Sequence, residues 1–186
     1  MRKLLCFMIV LLLWGCSAES SQMQKALTLR EQLLKSEGCS YNAEISADFG
    51  DKVYSFTLSC SGKRDGNVIF SVVRPESISG ISGVLSADGG KITFDEDRAL
   101  AFPMLAEGEL TPISASWILY ETLRSGYITS CGTDADGIRV TLNDTYEDEA
   151  LQVDVWLNGE DLPEKAEIFW EGRLVLSMMI MNFQIL

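Results

Sequence analysis

Apolar residues recur at every second position over much of this chain, and this period constrains its fold more than any other feature. They occupy odd positions from Tyr41 to Ala47 and even positions from Tyr54 to Leu58. An antiparallel hairpin centred on Phe49-Gly50 places both sets on one face, as a sheet with one buried face requires. The resulting register pairs Tyr41 with Leu58 and predicts a half-buried antiparallel pair.

The same register places Cys39 directly opposite Cys60. Two cysteines on one face of a cross-strand pair are good candidates for a disulfide in an exported protein. The alternative is that both remain free buried thiols, which is expected if the source lives without oxygen. A third cysteine, Cys131, is predicted to be a partly buried structural thiol.

Two segments show helical spacing instead. Residues 25–37 carry an apolar stripe and predict a helix that packs on the sheet. A second helix is predicted within residues 111–127, where Pro112 suits the first turn and Gly126 suits the exit. Its apolar side is formed by Ile113, Trp117, Leu119, Tyr120 and Leu123.

Further strands with the same alternation follow each helix. Residues 138–142 are expected to oppose residues 151–155, with Ile138 facing Val155, and a tight turn at Glu171-Gly172 makes the last hairpin. The order is helix, several antiparallel strands, helix, several antiparallel strands. This order predicts an α+β domain with one large, curved antiparallel sheet.

The chain is acidic and contains no histidine. Its 27 Asp and Glu residues outnumber its 15 Lys and Arg residues, giving a formal net charge of −12, so it is a poor candidate for binding nucleic acid. Without histidine it lacks the commonest general base and the commonest zinc ligand. The acidic runs at residues 95–97 and 144–149 are interpreted as solvated loop tips. No catalytic residue, metal site or cofactor is predicted.

The N-terminus has the layout of a secretory signal. Arg2 and Lys3 precede ten apolar residues, too few to cross a bilayer as a permanent helix, and small residues follow. Residues 13–16, LWGC, resemble the lipobox of bacterial lipoproteins. The resemblance implies that Cys16 carries a diacylglyceryl group and becomes the first residue of the mature protein.

This signal divides the chain into three parts. We predict a lipoprotein signal peptide at residues 1–15, a lipid anchor and polar tether at residues 16–24, and one domain at residues 25–186. The protein is then exported and held by its lipid on the outer face of the cell membrane, or on a periplasm-facing membrane surface if the source has two membranes.

The space between the sheet and the second helix has two possible contents. The aromatic side chains of Tyr54, Phe56, Trp117 and Tyr120 either fill a compact core or line a hydrophobic cavity large enough for a lipid. The residue pattern leaves both alternatives open, and core filling is the commoner outcome for such side chains.

The order of elements and two stretches resemble the LolA/LolB-like superfamily, over about residues 25–186. Residues 162–185, LPEKAEIFWEGRLVLSMMIMNFQI, are similar to the closing hairpin of that family, with Gly172-Arg173 at the turn and Asn182-Phe183 in the last strand. Residues 72–95 resemble a mid-sheet segment of its clostridial envelope and germination lipoproteins.

The resemblance implies an incomplete β-barrel whose concave face is covered by two helices, with binding of acyl chains or lipidated proteins in the hollow. Arg74, Arg98 and Arg139 are all candidates for the cavity-lining arginine that holds the lid in carriers of the family. We expect a non-catalytic, membrane-anchored lipoprotein that binds a lipid, acyl chain or other hydrophobic ligand. The alternative is an envelope interaction module that binds and supports a cell-wall enzyme as its protein partner.

Overall fold

The computed structural model describes residues 17–48, 53–94, 98–102, 111–146 and 150–186. In this part of the chain there are two α-helices, two short 3-10 helices and eleven strands. The helices are α1 (Ser17–Lys35) and α2 (Ala115–Ser125), and the 3-10 turns are Glu76–Ile78 and Pro112–Ser114. The strands are β1 (Gly38–Asp48), β2 (Val53–Lys63), β3 (Val68–Arg74), β4 (Ser82–Ser86), β5 (Gly89–Phe94), β6 (Arg98–Phe102), β7 (Tyr127–Asp134), β8 (Gly137–Asn143), β9 (Gln152–Leu157), β10 (Pro163–Trp170) and β11 (Arg173–Ile185).

All of these strands form one antiparallel sheet in the order β6-β5-β4-β3-β2-β1-β11-β10-β9-β8-β7. Each half of the chain forms a meander, and the two meanders join where β1 pairs with β11. The two outer strands, β6 and β7, do not pair with each other, so the sheet is open. The predicted α+β class, with one large antiparallel sheet forming a half-barrel and two helices, is confirmed.

One face of the sheet is apolar and is covered by both helices. The odd-numbered residues of β1 from Cys39 to Ala47 are buried there, while Glu44 on the same strand points to the other side. Helix α1 packs on β7, β8 and β1, and α2 packs on β2, β3 and β8. The helices and the inner face of the sheet share a single hydrophobic core.

The hairpin registers differ from the predicted ones, although the faces are correct. Tyr41 pairs with Cys60 rather than with Leu58, and Val155 pairs with Val140 rather than with Ile138. Both registers are shifted by two residues. Because side chains alternate with a period of two, such a shift leaves every apolar side chain on its predicted face.

The last hairpin turns where the sequence predicts. Trp170 pairs with Arg173, and the two residues between them, Glu171 and Gly172, have φ angles of 49° and 75°. Positive φ at both central residues is the requirement of the tight turn that matches the twist of paired strands.

The shifted register also removes the basis for the predicted disulfide. Cys39 lies opposite Gly62 instead of Cys60. Cys39 and Cys60 are both buried thiols that form no disulfide, which corrects the pairing expected from the sequence in favour of its alternative. Cys131 is buried as predicted, with its Sγ atom 3.9 Å from Sδ of Met23.

Helix α1 already includes Ser17, the first described residue, eight residues before the predicted start at Lys25. Residues 17–24, expected to form a polar tether, are therefore helical. The segment contains no proline or glycine, and Met23 packs against the hydrophobic core. The side chain of Gln22 also donates to Thr133 Oγ1 at 2.7 Å. These contacts with the sheet and the core stabilise a helical segment that the polar composition does not predict.

Candidate ligand-binding cleft

Tyr120 on α2 is part of the core. Its side chain is 1% exposed, and its hydroxyl donates to the carbonyl oxygen of Lys63 at 2.9 Å. Burial raises the pKa of this hydroxyl. Tyr120 is therefore a core residue, which is one of the two alternatives for the aromatic side chains. Its hydrogen bond attaches α2 to the end of β2.

Trp117 lies one helical turn before Tyr120 and has a different environment. It is partly buried and packs against the core, and it also lines an open cleft of about 410 Å³. The cleft lies between α2 and two hairpin turns, the β2–β3 turn at residues 65–67 and the β4–β5 turn at residues 86–88. We call it the α2 cleft. Its volume falls within the range of small-molecule sites, roughly 300–1,000 Å³.

The β2–β3 turn is shaped by its own side chains. Asp65 Oδ1 accepts a hydrogen bond from the backbone N–H of Asn67 at 3.0 Å, and Oδ2 accepts one from Asn67 Nδ2 at 2.8 Å. Gly66 between them has a φ of 90°, and a Cβ there would lie 3.0 Å from Nη1 of Arg124. Glycine at this position lets the arginine lie close against the turn.

Arg124, one turn after Tyr120, borders the α2 cleft. Its Nη2 donates to the carbonyl oxygen of Arg64 at 2.8 Å, and its Nη1 lies 3.7 Å from Glu121 Oε2. The guanidinium also lies over the ring of Tyr120, 5.1 Å from its centroid. Its Nε atom is buried and has no hydrogen-bond partner in the described part of the chain.

The α2 cleft is negatively charged. Asp65, Asp88 and Glu121 border it, and Arg124 is the one cation among the described residues that line it. Because Glu121 is paired with Arg124, the uncompensated charge comes from Asp65 and Asp88. Within residues 17–48, 53–94, 98–102, 111–146 and 150–186, Asp88 makes no ion pair and its carboxylate accepts no hydrogen bond.

Phe56 lies elsewhere. It lines a second open cleft, of about 470 Å³, together with Arg74, Pro75 and the outward-facing Glu44. Trp117 and Phe56 are therefore in separate clefts. The side chain of Tyr54 lies outside the described residues, as does Cys16. Of the four aromatic residues predicted to line one cavity, only Trp117 and Tyr120 lie close together among the described side chains. Tyr120 lies in the core, and Trp117 lines the α2 cleft.

The three candidate arginines do not converge on one site. Arg74 borders the second cleft, and the side chain of Arg98 lies outside the described residues. Arg139 is on the outer face of the sheet, 3.8 Å from Asp134 and 3.9 Å from Asp154. Lys165 approaches the ring of Trp156 on the same outer face, 4.2 Å from its centroid.

The acidic runs noted in the sequence are only partly described. Residues 95–97 and 147–149 lie outside the described residues. Asp144 Oδ1 accepts from the backbone N–H of Leu151 at 2.8 Å, and burial raises the pKa of this carboxyl group. The described residues hold no group of three or more acidic or cysteine side chains placed to bind a metal ion. Neither described helix combines the length and apolar character needed to cross a membrane.

Sequence reasoning missed Asp65 and Asp88 as site residues. Both stand in turn sequences, RDGN and ADGG, where aspartate is ordinary. Only the sheet order places these two turns beside the same face of α2.

Several solved bacterial protein structures align with most of this chain. A LolA superfamily protein from Nitrosomonas europaea aligns with 87% of this chain and 93% of its own, at 13% identity and a TM-score of 0.47. An outer membrane lipoprotein-sorting protein domain from Vibrio parahaemolyticus aligns with 89% of this chain and 92% of its own, at 10% identity and a TM-score of 0.46. The Mycobacterium tuberculosis lipoprotein LppX aligns over 88% and 93%, at 8% identity and a TM-score of 0.40.

No family model and no curated protein sequence matches the chain. With such low identities and with TM-scores below 0.5, the structural resemblances assign neither a family nor a function to it.

Proposed function

We propose that the protein is a membrane-anchored, non-catalytic lipoprotein that binds the apolar part of a lipid, acyl chain or other hydrophobic ligand between its open sheet and α2. The observation that carries the proposal is the position of Trp117, which packs against the core while lining the α2 cleft. An apolar ligand entering beside Trp117 would pass from the cleft to the buried face of the sheet.

The open sheet supports this function. Its outer strands do not close on each other, and two helices cover the apolar face in the described part of the chain. An element held against a sheet by side-chain packing can be displaced by a ligand that packs on the same apolar surface. Each buried methylene group contributes about 0.8 kcal/mol, so burial of an acyl chain can compensate for the apolar surface that α2 uncovers when it moves.

The membrane anchor rests on the N-terminal sequence. The lipobox-like residues 13–16 provide Cys16 as the attachment point, and two or more acyl chains give stable anchoring. Because Ser17 is helical, an anchor on Cys16 would lie next to helical backbone that packs on the sheet. The domain would then be held close to the lipid that it binds.

Lipid extraction and mass spectrometry of the protein purified from membranes test the proposal. We expect a bound lipid to be recovered together with the anchor, and a fluorescent fatty-acid probe to compete for the same site. Trp117→Ala should weaken binding of the probe, whereas Trp156→Phe on the outer face should not. A folded protein that carries no lipid and binds no probe would overturn the function.

One observation favours the alternative function as an envelope interaction module. The outer face of the sheet carries exposed apolar side chains, including Met179 and Met181 at 54% and 42% exposure. Ile69 and Val84, also exposed, are directly paired on neighbouring strands. Exposed apolar patches of this kind are typical of protein contact sites. Co-purification from membranes with a cell-wall enzyme, abolished by Met179→Ser and Met181→Ser, would support this alternative.

A further inference from the structure

We propose that α1 lies along the surface of the membrane that holds Cys16, with Leu27 and Leu34 in contact with the lipid. This orientation rests on the membrane anchor proposed above, and it goes beyond that function by assigning the side of the domain that meets the bilayer. Three features of α1 carry it: its position next to the anchor, two exposed leucines, and its charge.

The proposed attachment point is adjacent to helical backbone. Ser17 follows Cys16 directly and already belongs to α1, which continues to Lys35. A helix rises 1.5 Å per residue, so Leu27 lies about 15 Å and Leu34 about 25 Å along the axis from Ser17. A lipid on Cys16 therefore holds one end of α1 at the bilayer surface, and both leucines reach that surface when the helix lies along it.

Helix α1 buries one side and exposes the other. Ala26, Leu29 and Leu33 are core residues, whereas Leu27 and Leu34 are 43% and 48% exposed. Residues seven apart lie two turns apart on the same side of a helix. Because α1 packs on the sheet with its buried side, its exposed side points away from the sheet. Single surface leucines are ordinary, but two in line on a helix that directly follows a lipid anchor are placed to contact the bilayer.

The charge of α1 differs from that of the chain as a whole. The helix contains three basic and two acidic residues, whereas the chain has a net charge of −12. Glu31, between the two leucines, is paired with Lys35. Bilayers that contain anionic lipids repel acidic surfaces and attract basic ones. Helix α1 can therefore approach a membrane at a lower electrostatic cost than the acidic remainder of the domain.

This orientation also determines where the other parts of the domain lie. The outer face of the sheet, which carries Asp154 and Glu167 on paired strands, points away from the membrane. Helix α2 is joined to α1 through the hydrogen bonds of Arg30 to Leu123 and Gly126. It is therefore held beside the lipid from which the proposed hydrophobic ligand would come.

Fluorescence of the lipidated protein, purified from membranes and placed in phosphatidylcholine vesicles, tests this orientation. The three described cysteines are buried, so a cysteine introduced on the surface can be labelled selectively with an environment-sensitive dye when Cys16 carries its lipid. Gln24→Cys, exposed and one turn before Leu27, places the dye beside the proposed contact. Ser59→Cys, exposed on the outer face of β2, is the matched control. We expect a blue shift and quenching by nitroxide-labelled lipid for the dye at Gln24→Cys and neither for the dye at Ser59→Cys.

Replacing either leucine by serine should release α1 from the lipid while the anchor remains. Burial of the exposed half of a leucine side chain changes an equilibrium constant by about three- to tenfold. In the Gln24→Cys background, Leu27→Ser and Leu34→Ser should each lower the ratio of docked to undocked protein by about this factor. Leu174→Ser, which removes a leucine of 39% exposure from β11, is the matched control and should change neither emission nor quenching. Circular dichroism verifies that each variant is folded.

The outcomes separate this orientation from the anchor on which it rests. Protein that stays with the vesicles but shows no quenching at Gln24→Cys would overturn the contact of α1 and retain the anchor. Quenching of equal strength at Ser59→Cys would also overturn it, because the domain would then have no fixed orientation. A blue shift at Gln24→Cys without quenching by lipid would assign the leucines to a protein contact instead. Protein that leaves the vesicles and carries no lipid on Cys16 would contradict the anchor, and with it the contact.

Discussion

The guanidinium of Arg30 on α1 donates to the carbonyl oxygen of Gly126, the residue directly after α2, at 2.6 Å. The same side chain donates through Nε to the carbonyl of Leu123 at 2.9 Å. The last carbonyl groups of a helix have no partner within the helix and carry a partial negative charge. Arg30 supplies both the hydrogen bonds and the positive charge, and it thereby joins the two helices over the sheet.

Replacing Arg30 by methionine should therefore lower the free energy of unfolding by about 1.5–3 kcal/mol, the range for hydrogen bonds to a charged group. Urea denaturation measures the change. Arg64→Met is the control, because the exposed Arg64 pairs with Glu37 at 3.2 Å on the surface and such pairs contribute about 0–1 kcal/mol. Equal losses in the two variants would contradict the role of Arg30 as a cap.

Gly62 is required by the ring of Tyr120. A Cβ atom at position 62 would lie 2.7 Å from two ring carbons of Tyr120. Gly62→Ala should destabilise the fold by about 1–3 kcal/mol, as overpacked cores do. The loss should be smaller in a Tyr120→Leu background, which a double-mutant cycle detects. Gly132→Ala is the control, because a Cβ atom there meets nothing within 4 Å.

Stability should fall at alkaline pH because of the buried thiols. Burial raises the pKa of Cys39 and of Cys60 to about 12, whereas an unfolded thiol titrates near 8.5. Between about pH 8.5 and 12 the unfolded chain releases protons that the folded protein retains. The free energy of unfolding then decreases as pH rises, with a limiting slope of about 1.4 kcal/mol per pH unit for each thiol.

The variant with Cys39→Ala and Cys60→Ala tests this assignment. Its absolute stability is lower, but urea midpoints between about pH 8 and pH 10 should depend less steeply on pH than those of the original protein. Tyr41, whose pKa is raised by burial and by both cysteines, remains in both proteins, and its burial contributes to both slopes. Equal slopes would assign the alkaline loss to groups other than the thiols.

Cys16→Ser should release the protein from membranes while leaving the domain folded, because the cysteine is proposed as the attachment point of the lipid. Membrane fractionation and incorporation of labelled fatty acid measure anchoring, and circular dichroism measures folding. Cys6→Ser is the control, since Cys6 lies within the proposed signal peptide and should leave anchoring intact. Labelling that persists in Cys16→Ser would contradict the assignment.

Alternation of apolar residues determines which face of a strand is buried, but it does not determine register. The predicted and observed partners of Tyr41 differ by two residues, as do those of Val155. Any shift by an even number of residues buries the same side chains, so the hydrophobic pattern cannot distinguish such registers. The disulfide prediction depended on register, and for that reason it was wrong while the fold class was confirmed.

The α2 cleft could not be predicted for a related reason. Trp117 was identified from helical spacing, whereas Asp65 and Asp88 are local turn residues in the sequence. Their convergence depends on the order β5-β4-β3-β2 and on the crossing of α2 above it. Contacts between segments distant along the chain carry no local pattern. The helical conformation of residues 17–24 could not be predicted for the same reason. Met23 contacts the core, but the residues around it are polar and show no apolar pattern.

The pairing of β1 with β11 affects how the protein can be made. Gly38–Asp48 is the first strand in the described part of the chain and Arg173–Ile185 is the last, yet they are neighbours at the centre of the sheet. During synthesis, β1 must wait for its partner with one hydrogen-bonding edge open until Arg173–Ile185 emerges. Such long-range pairing slows folding, and unpaired edges favour aggregation. A chain that ends before β11 would leave β1 and β10 without the strand they share, and the two meanders would not be joined.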